Sequence, residues 1–114
     1  MNIKQFYIYL ANLDPPFGAE PGKIPPVVVV QTDFLNSKSH LTTLVCPLTS
    51  NIHENSIFLR VHLSKSETNL REASDILVDQ IRSIDNRRFI KEIGRLNVKA
   101  QEQLIRNLQI VLFE

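Results

Sequence analysis

The side chains that could do chemistry here are few, and most of the usual arrangements are missing. His40, His53 and His62 have no partner three or four residues away and no cysteine pair beside them, so no metal site is expected. The run GAEPGK, Gly18 to Lys23, lacks the spacing and the following Ser or Thr of a phosphate-binding loop, and there is no G-x-S-x-G elbow. Cys46, the single cysteine, sits inside the apolar run LVCPL and reads as a buried structural thiol rather than a nucleophile. Two polar groups remain. Thr49-Ser50 stands where an apolar run stops, a position at which hydroxyl residues commonly serve turn chemistry. Asp79-Gln80 and Arg82 interrupt the apolar run from Ile76 to Ile84, and a solvent-facing place on an alternating strand suffices for Arg82.

These groups must be positioned by the elements around Leu13 to Ser50. A loop holding Pro15, Pro16, Gly18, Pro21, Gly22, Pro25 and Pro26 runs into four consecutive valines, Val27 to Val30. Prolines and glycines at this density fix a loop's shape without a helix or ladder, and so long a loop in a small chain is more often functional than filler. Phe6 to Ala11 is aromatic and β-branched, with Phe6, Ile8 and Leu10 on one face and Tyr7 and Tyr9 on the other. Val27 to Gln31 predicts a strand buried on both faces, with Pro26 at its first position. Leu41 to Leu48 predicts a third strand, Pro47 marking an edge or bulge near its end. Ile57, Leu59, Val61 and Leu63 alternate with Phe58, Arg60 and His62, the pattern of a half-buried strand, and Ile76 to Ile84 predicts a fifth. Two helices are expected to close the chain. The first is capped by Asp85, carries Phe89, Ile90 and Ile93 on one face, and ends at Gly94; the second is capped by Asn97 and carries Leu104, Ile105, Leu108, Val111 and Leu112. The fold class is therefore mainly β: a small, strongly curved antiparallel sheet or barrel of about five strands with two appended helices.

At 114 residues, with 43% apolar and 22% charged side chains, the chain reads as one soluble globular domain. No apolar run approaches membrane-spanning length, no signal peptide is read, and a single cysteine allows no intrachain disulfide, so nothing argues for export and a cytoplasmic location is expected. The net charge of +1 excludes RNA binding driven by bulk charge. Any RNA site must rest on shaped, local contacts.

The order LDPPFGAEPGKIPPVVVVQ, then VCPLTS, then DQIRSID, followed by helical sequence, resembles the MazF/PemK family of toxin endoribonucleases over roughly Phe6 to Phe113. The resemblance implies an SH3-like barrel and a type II toxin–antitoxin partnership. It implies a homodimer that cleaves single-stranded RNA at specific sequences without metal or cofactor. A small antitoxin would neutralise it, operator DNA would be reached only through that antitoxin, and no membrane would be involved. Thr49 matches the threonine whose hydroxyl, with an arginine, flanks the scissile phosphate in that family, with Ser50 beside it. The family's G-x-x-R-P arginine is replaced here, because Gly22, Lys23, Ile24, Pro25, Pro26 put proline in its place.

In the family the RNA's own 2′-OH attacks, leaving a 2′,3′-cyclic phosphate and a 5′-hydroxyl. A phosphorane gathers negative charge, for which a guanidinium supplies fixed forked donors and proline supplies none. Cleavage by this chain is therefore expected to be impaired. Asp79 and Gln80 match the family's acidic-Gln pair near the RNA or its loop. Phe17 at the loop tip is a candidate for stacking on a base, and Glu20 for accepting from a base edge. Two other readings remain open: a CcdB-like DNA gyrase poison of the same architecture, and a catalytically silent dimer that still binds antitoxin.

Overall fold

A computed structural model of the chain describes residues 1–13, 24–56 and 58–113. Seven strands form one curled antiparallel sheet: β1 (Tyr7–Ala11), β2 (Pro26–Val29), β3 (Thr42–Thr49), β4 (Arg60–Leu63), β5 (Ser74–Leu77), β6 (Arg82–Asp85) and β7 (Phe89–Arg95). Their order is β4-β5-β3-β2-β1-β7, with β6 pairing β3 off this path, so the sheet curls strongly without closing. Two one-turn helices, α1 (Asp33–Asn36) and α2 (Lys65–Thr68), punctuate the connections, and α3 (Val98–Leu112) ends the fold.

The strand bearing the valines is buried on both faces, as its composition requires. Val28 joins Ile8, Cys46, Leu48, Val61, Ile76, Leu96 and Leu104 in the cluster beneath α3. Val27 and Val29 join Tyr9, Ala11, Val45, Ile84 and Phe89 in a second cluster. There Tyr9 and Phe89 meet edge to face with ring centroids 5.3 Å apart. Asn97 caps α3 as expected, its side chain accepting from Ala100 N at 2.8 Å. Ala100 and Leu104 of that helix are buried, whereas Ile105 and Leu112 of the expected stripe face outward.

Pro47 lies inside β3, opposite Val27. On its other side β3 pairs β6 from Thr42 to Val45 and β5 at Leu48 and Thr49, so Pro47 falls in the gap between the two partners. A residue without an N–H is tolerated there. The 3-10 turn Val78–Gln80 separates β5 from β6, so the fifth strand expected from Ile76 to Ile84 is two strands. It also covers the gap in β3: Cys46 is fully buried and its Sγ lies 3.9 Å from Val78 O. Burial, reinforced by the Asp79 charge, pushes the Cys46 thiol up to about 12, which fits the inert thiol expected.

The first expected helix is absent. Asp85 does cap, accepting from Arg87 N, but it caps only the 3-10 turn Asn86–Arg88, and the chain then extends as β7 against β1. Gly94 is not a helix stop. A Cβ there would lie 2.8 Å from Thr68 O, so this glycine permits close approach between β7 and the backbone at the end of α2. The alternating strand is also shorter than expected, beginning only at Arg60 and leaving Phe58 and Leu59 exposed; Ile57 lies outside the described residues.

A cleft at the end of the third strand

Thr49 is the last residue of β3, and its register partner across the sheet is Asp75 of β5. Thr49 is half-buried and Ser50 is exposed. Both line a cleft of about 650 Å³. One wall comes from β1, β2 and β7 through Leu10, Pro26 and Ile93, and the other from the segment Asn69 to Ser74. That volume suits a small ligand or a nucleotide, and its lining mixes apolar side chains with polar and charged ones, Arg71, Glu72, Lys91 and Glu92 among them.

The second wall is fixed by several local contacts. Asn69 ends α2 in the left-handed conformation at φ 61°, which asparagine tolerates better than most residues. Its side chain donates to Ile93 O of β7 at 3.2 Å. Leu70 is buried, and Ser74 Oγ donates back to Glu72 O at 3.1 Å, tightening the turn between them.

Pro25 is buried and does not itself line the cleft, although its neighbours Ile24 and Pro26 do. Its carbonyl accepts from Ala11 N at 3.2 Å, which ties this stretch to β1. Asp79 is exposed and Gln80 half-buried, both in the 3-10 turn between β5 and β6, and neither is among the cleft's lining residues. The structure thus brings Thr49 and Ser50 to one cleft with the flanks of Pro25, and leaves Asp79 and Gln80 elsewhere. Phe17 and Glu20 lie outside the described residues.

Beside Thr49 stands a charged network that the sequence reading missed. Asp75 is fully buried and accepts from three donors: His53 N at 2.9 Å, Arg60 Nη1 at 2.9 Å and His62 Nδ1 at 2.6 Å. Arg60 Nη1 also donates to Asn51 O at 2.7 Å, and Asn51 N donates to Thr49 Oγ1 at 3.1 Å. A chain of contacts therefore runs from the Thr49 hydroxyl to the buried carboxylate. Burial alone would raise the Asp75 pKa, but the His53, Arg60 and His62 donors outweigh it and hold the carboxyl below its usual range. His62, expected to face solvent on its strand, is exposed yet committed to Asp75 through one ring nitrogen. The sequence did carry a signal: a carboxylate entering the run SDILV must be buried with partners, and Arg60 and His62 share a face two residues apart.

Among the described residues no group of three or more His, Cys, Asp or Glu side chains could hold a metal ion. Among the same described residues no helix is long and apolar enough to cross a membrane.

Comparison with known proteins identifies the family and the fold. The family model for the PemK-like, MazF-like toxin of type II toxin–antitoxin systems matches residues 4–112. The chain is 35% identical over 105 residues to endoribonuclease MazF of Staphylococcus saprophyticus, covering 92% of this chain and 87% of that one. It is 32% identical over 112 residues to endoribonuclease EndoA of Bacillus subtilis, covering 98% and 96%. The fold matches MazF from Deinococcus radiodurans with a TM-score of 0.80 at 22% identity, covering 100% of this chain and 99% of that one. It matches a MazE–MazF complex from the same organism at 0.76 and 20% identity, covering 98% and 97%. With the family model spanning nearly the whole chain, this protein belongs to the PemK-like, MazF-like toxins of type II toxin–antitoxin systems.

Proposed function

We propose that this chain is a metal-independent, sequence-specific endoribonuclease acting on single-stranded RNA in the cytoplasm, and that Pro25 impairs its cleavage. The observation that carries this reading is that Thr49 lines a nucleotide-sized cleft together with Ile24 and Pro26, the residues on either side of Pro25. In the reaction the 2′ oxygen attacks the adjacent phosphorus, the bond to the 5′ oxygen breaks, and a 2′,3′-cyclic phosphate and a 5′-hydroxyl remain. Thr49 donates to a non-bridging oxygen as the phosphorane gathers charge. Phe17, Glu20, Ser50, Asp79 and Gln80 contact the RNA, Ser50 from the Thr49 cleft and the last two from outside it. The working unit is a homodimer, and a small antitoxin competes with RNA for the same groove. Operator DNA is reached only through that antitoxin.

Pro25 also favours a second reading, a folded dimer that binds antitoxin and does not cut. Both readings are tested by incubating the chain and its Pro25→Arg variant with one long RNA in EDTA and mapping the ends. Removing a charge-stabilising donor commonly lowers a rate on the order of 10²–10³-fold, so the arginine variant should be faster by about that factor and leave 5′-hydroxyl ends. No cleavage by either would favour the silent binder. Co-purification with gyrase instead of RNA cleavage would favour the CcdB-like reading.

A further inference from the structure

We propose that Arg71 contacts the scissile phosphate and carries the cleavage that this chain retains without the family arginine. The inference rests on the nuclease reading above and assigns the cation that reading lacks. Among the described residues, Arg71 and Lys91 are the basic side chains lining the Thr49 cleft, which Glu72 and Glu92 also line. Arg71 is exposed and makes no hydrogen bond or ion pair with any described residue. Arg60, also near Thr49, is committed to Asp75 and Asn51 O and does not line the cleft.

The backbone under Arg71 is held from both sides. Leu70 before it is buried, Asn69 is bonded to Ile93 O, and Ser74 Oγ closes on Glu72 O after it. The antiparallel pairing of Leu48 with Ile76 and Thr49 with Asp75 brings Ser74, where β5 begins, beside the end of β3, and the segment leading into it carries Arg71 to the cleft that Thr49 lines. A guanidinium on a fixed backbone, without a partner among the described residues and lining the same cleft as Thr49, can meet the electrostatic need of a phosphorane. Lys91 offers only a compact point charge from β7 and suits a neighbouring phosphate.

In the step, the 2′ oxygen bonds to phosphorus and releases its proton to water, and the 5′ oxygen leaves and takes a proton from water. Arg71 and Thr49 hold the non-bridging oxygens throughout. No metal or other co-reactant enters the balance.

The test compares single-turnover cleavage of one long RNA in EDTA by the chain, Arg71→Ala, Arg71→Gln, Arg71→Lys, Pro25→Arg and the double variant Pro25→Arg with Arg71→Ala. Urea midpoints should be unchanged in the single Arg71 variants because the side chain has no described partner. The chain itself should cut slowly. R71A and R71Q should both lose on the order of 10²–10³-fold, with R71K between them and the chain. Adding P25R should rescue R71A to near the P25R rate, since a guanidinium is restored at the same phosphate. Equal rates for the chain and R71A, or cleavage by P25R with none by the chain, would overturn the role of Arg71 while leaving the nuclease reading intact. No cleavage by any variant, P25R included, would overturn both.

Discussion

Asp75 is the residue whose chemistry is most tightly determined by the fold. It is fully buried, and three donors meet its two oxygens. Truncating one member of a buried charged group leaves the others uncompensated, so Asp75→Ala should lower unfolding free energy by about 3–5 kcal/mol in urea titrations at neutral pH. The pH dependence follows from the direction of its shift. The folded carboxyl titrates below its unfolded value, so its contribution is present above the ordinary carboxylate pKa of about 4 and fades as pH falls through the lower folded value. The stability gap between the chain and Asp75→Asn should therefore narrow as the pH is taken below that range. A gap that stays constant to low pH would contradict the assignment. Because Asn51 N bonds Thr49 Oγ1 and Asn51 O bonds Arg60, the same variants should also disturb the Thr49 hydroxyl.

At the scale of elements, the cleft exists because the backbone at the end of α2 is pressed onto β7 at Gly94. With Thr68 O only 2.8 Å from where a Cβ would stand, Gly94→Ala must push backbone rather than a flexible side chain. Overpacking of this kind destabilises by about 1–3 kcal/mol, readable as a lowered thermal midpoint, and it should also weaken RNA binding by moving the Asn69–Ser74 wall. An unchanged midpoint would show that the two elements slide apart freely. Gly94 also marks where sequence reading failed. Phe89, Ile90 and Ile93 fit a short helical face, and a capping Asp85 with a following glycine agreed with it, but strand pairing with Tyr7 to Ala11 decides the matter. Short apolar runs do not distinguish the two periods, and tertiary pairing overrides local preference. The β-branched run at Val27, the strand ending at Thr49 and the helix capped by Asn97 were legible because each combines composition with a punctuating residue. Resemblance singled out Thr49, Ser50 and Pro25; the first two line one cleft, whereas Pro25 is buried and only its neighbours Ile24 and Pro26 reach it. A buried Asp75 was signalled by its place in an apolar run, but its partners, and the place of Arg71, were not legible, since they depend on which strands become neighbours.

For the whole molecule, the open sheet matters more than net charge. β4 and β7 are the ends of the strand order, and the Thr49 cleft is lined from both flanks of the curl, by β7 and by the segment leading into β5. A net charge of +1 gives little long-range attraction for RNA, so binding must come from a few placed groups in that cleft and from contacts to bases. The central claim is that Thr49, given a guanidinium partner, cleaves RNA through its 2′-hydroxyl. Its most direct test is end-mapped, single-turnover cleavage in EDTA by Pro25→Arg, with and without Thr49→Val. The account predicts cleavage to 5′-hydroxyl ends by P25R and a loss on the order of 10²-fold or more when Thr49 becomes valine. Undiminished cleavage by the Thr49→Val variant would contradict it.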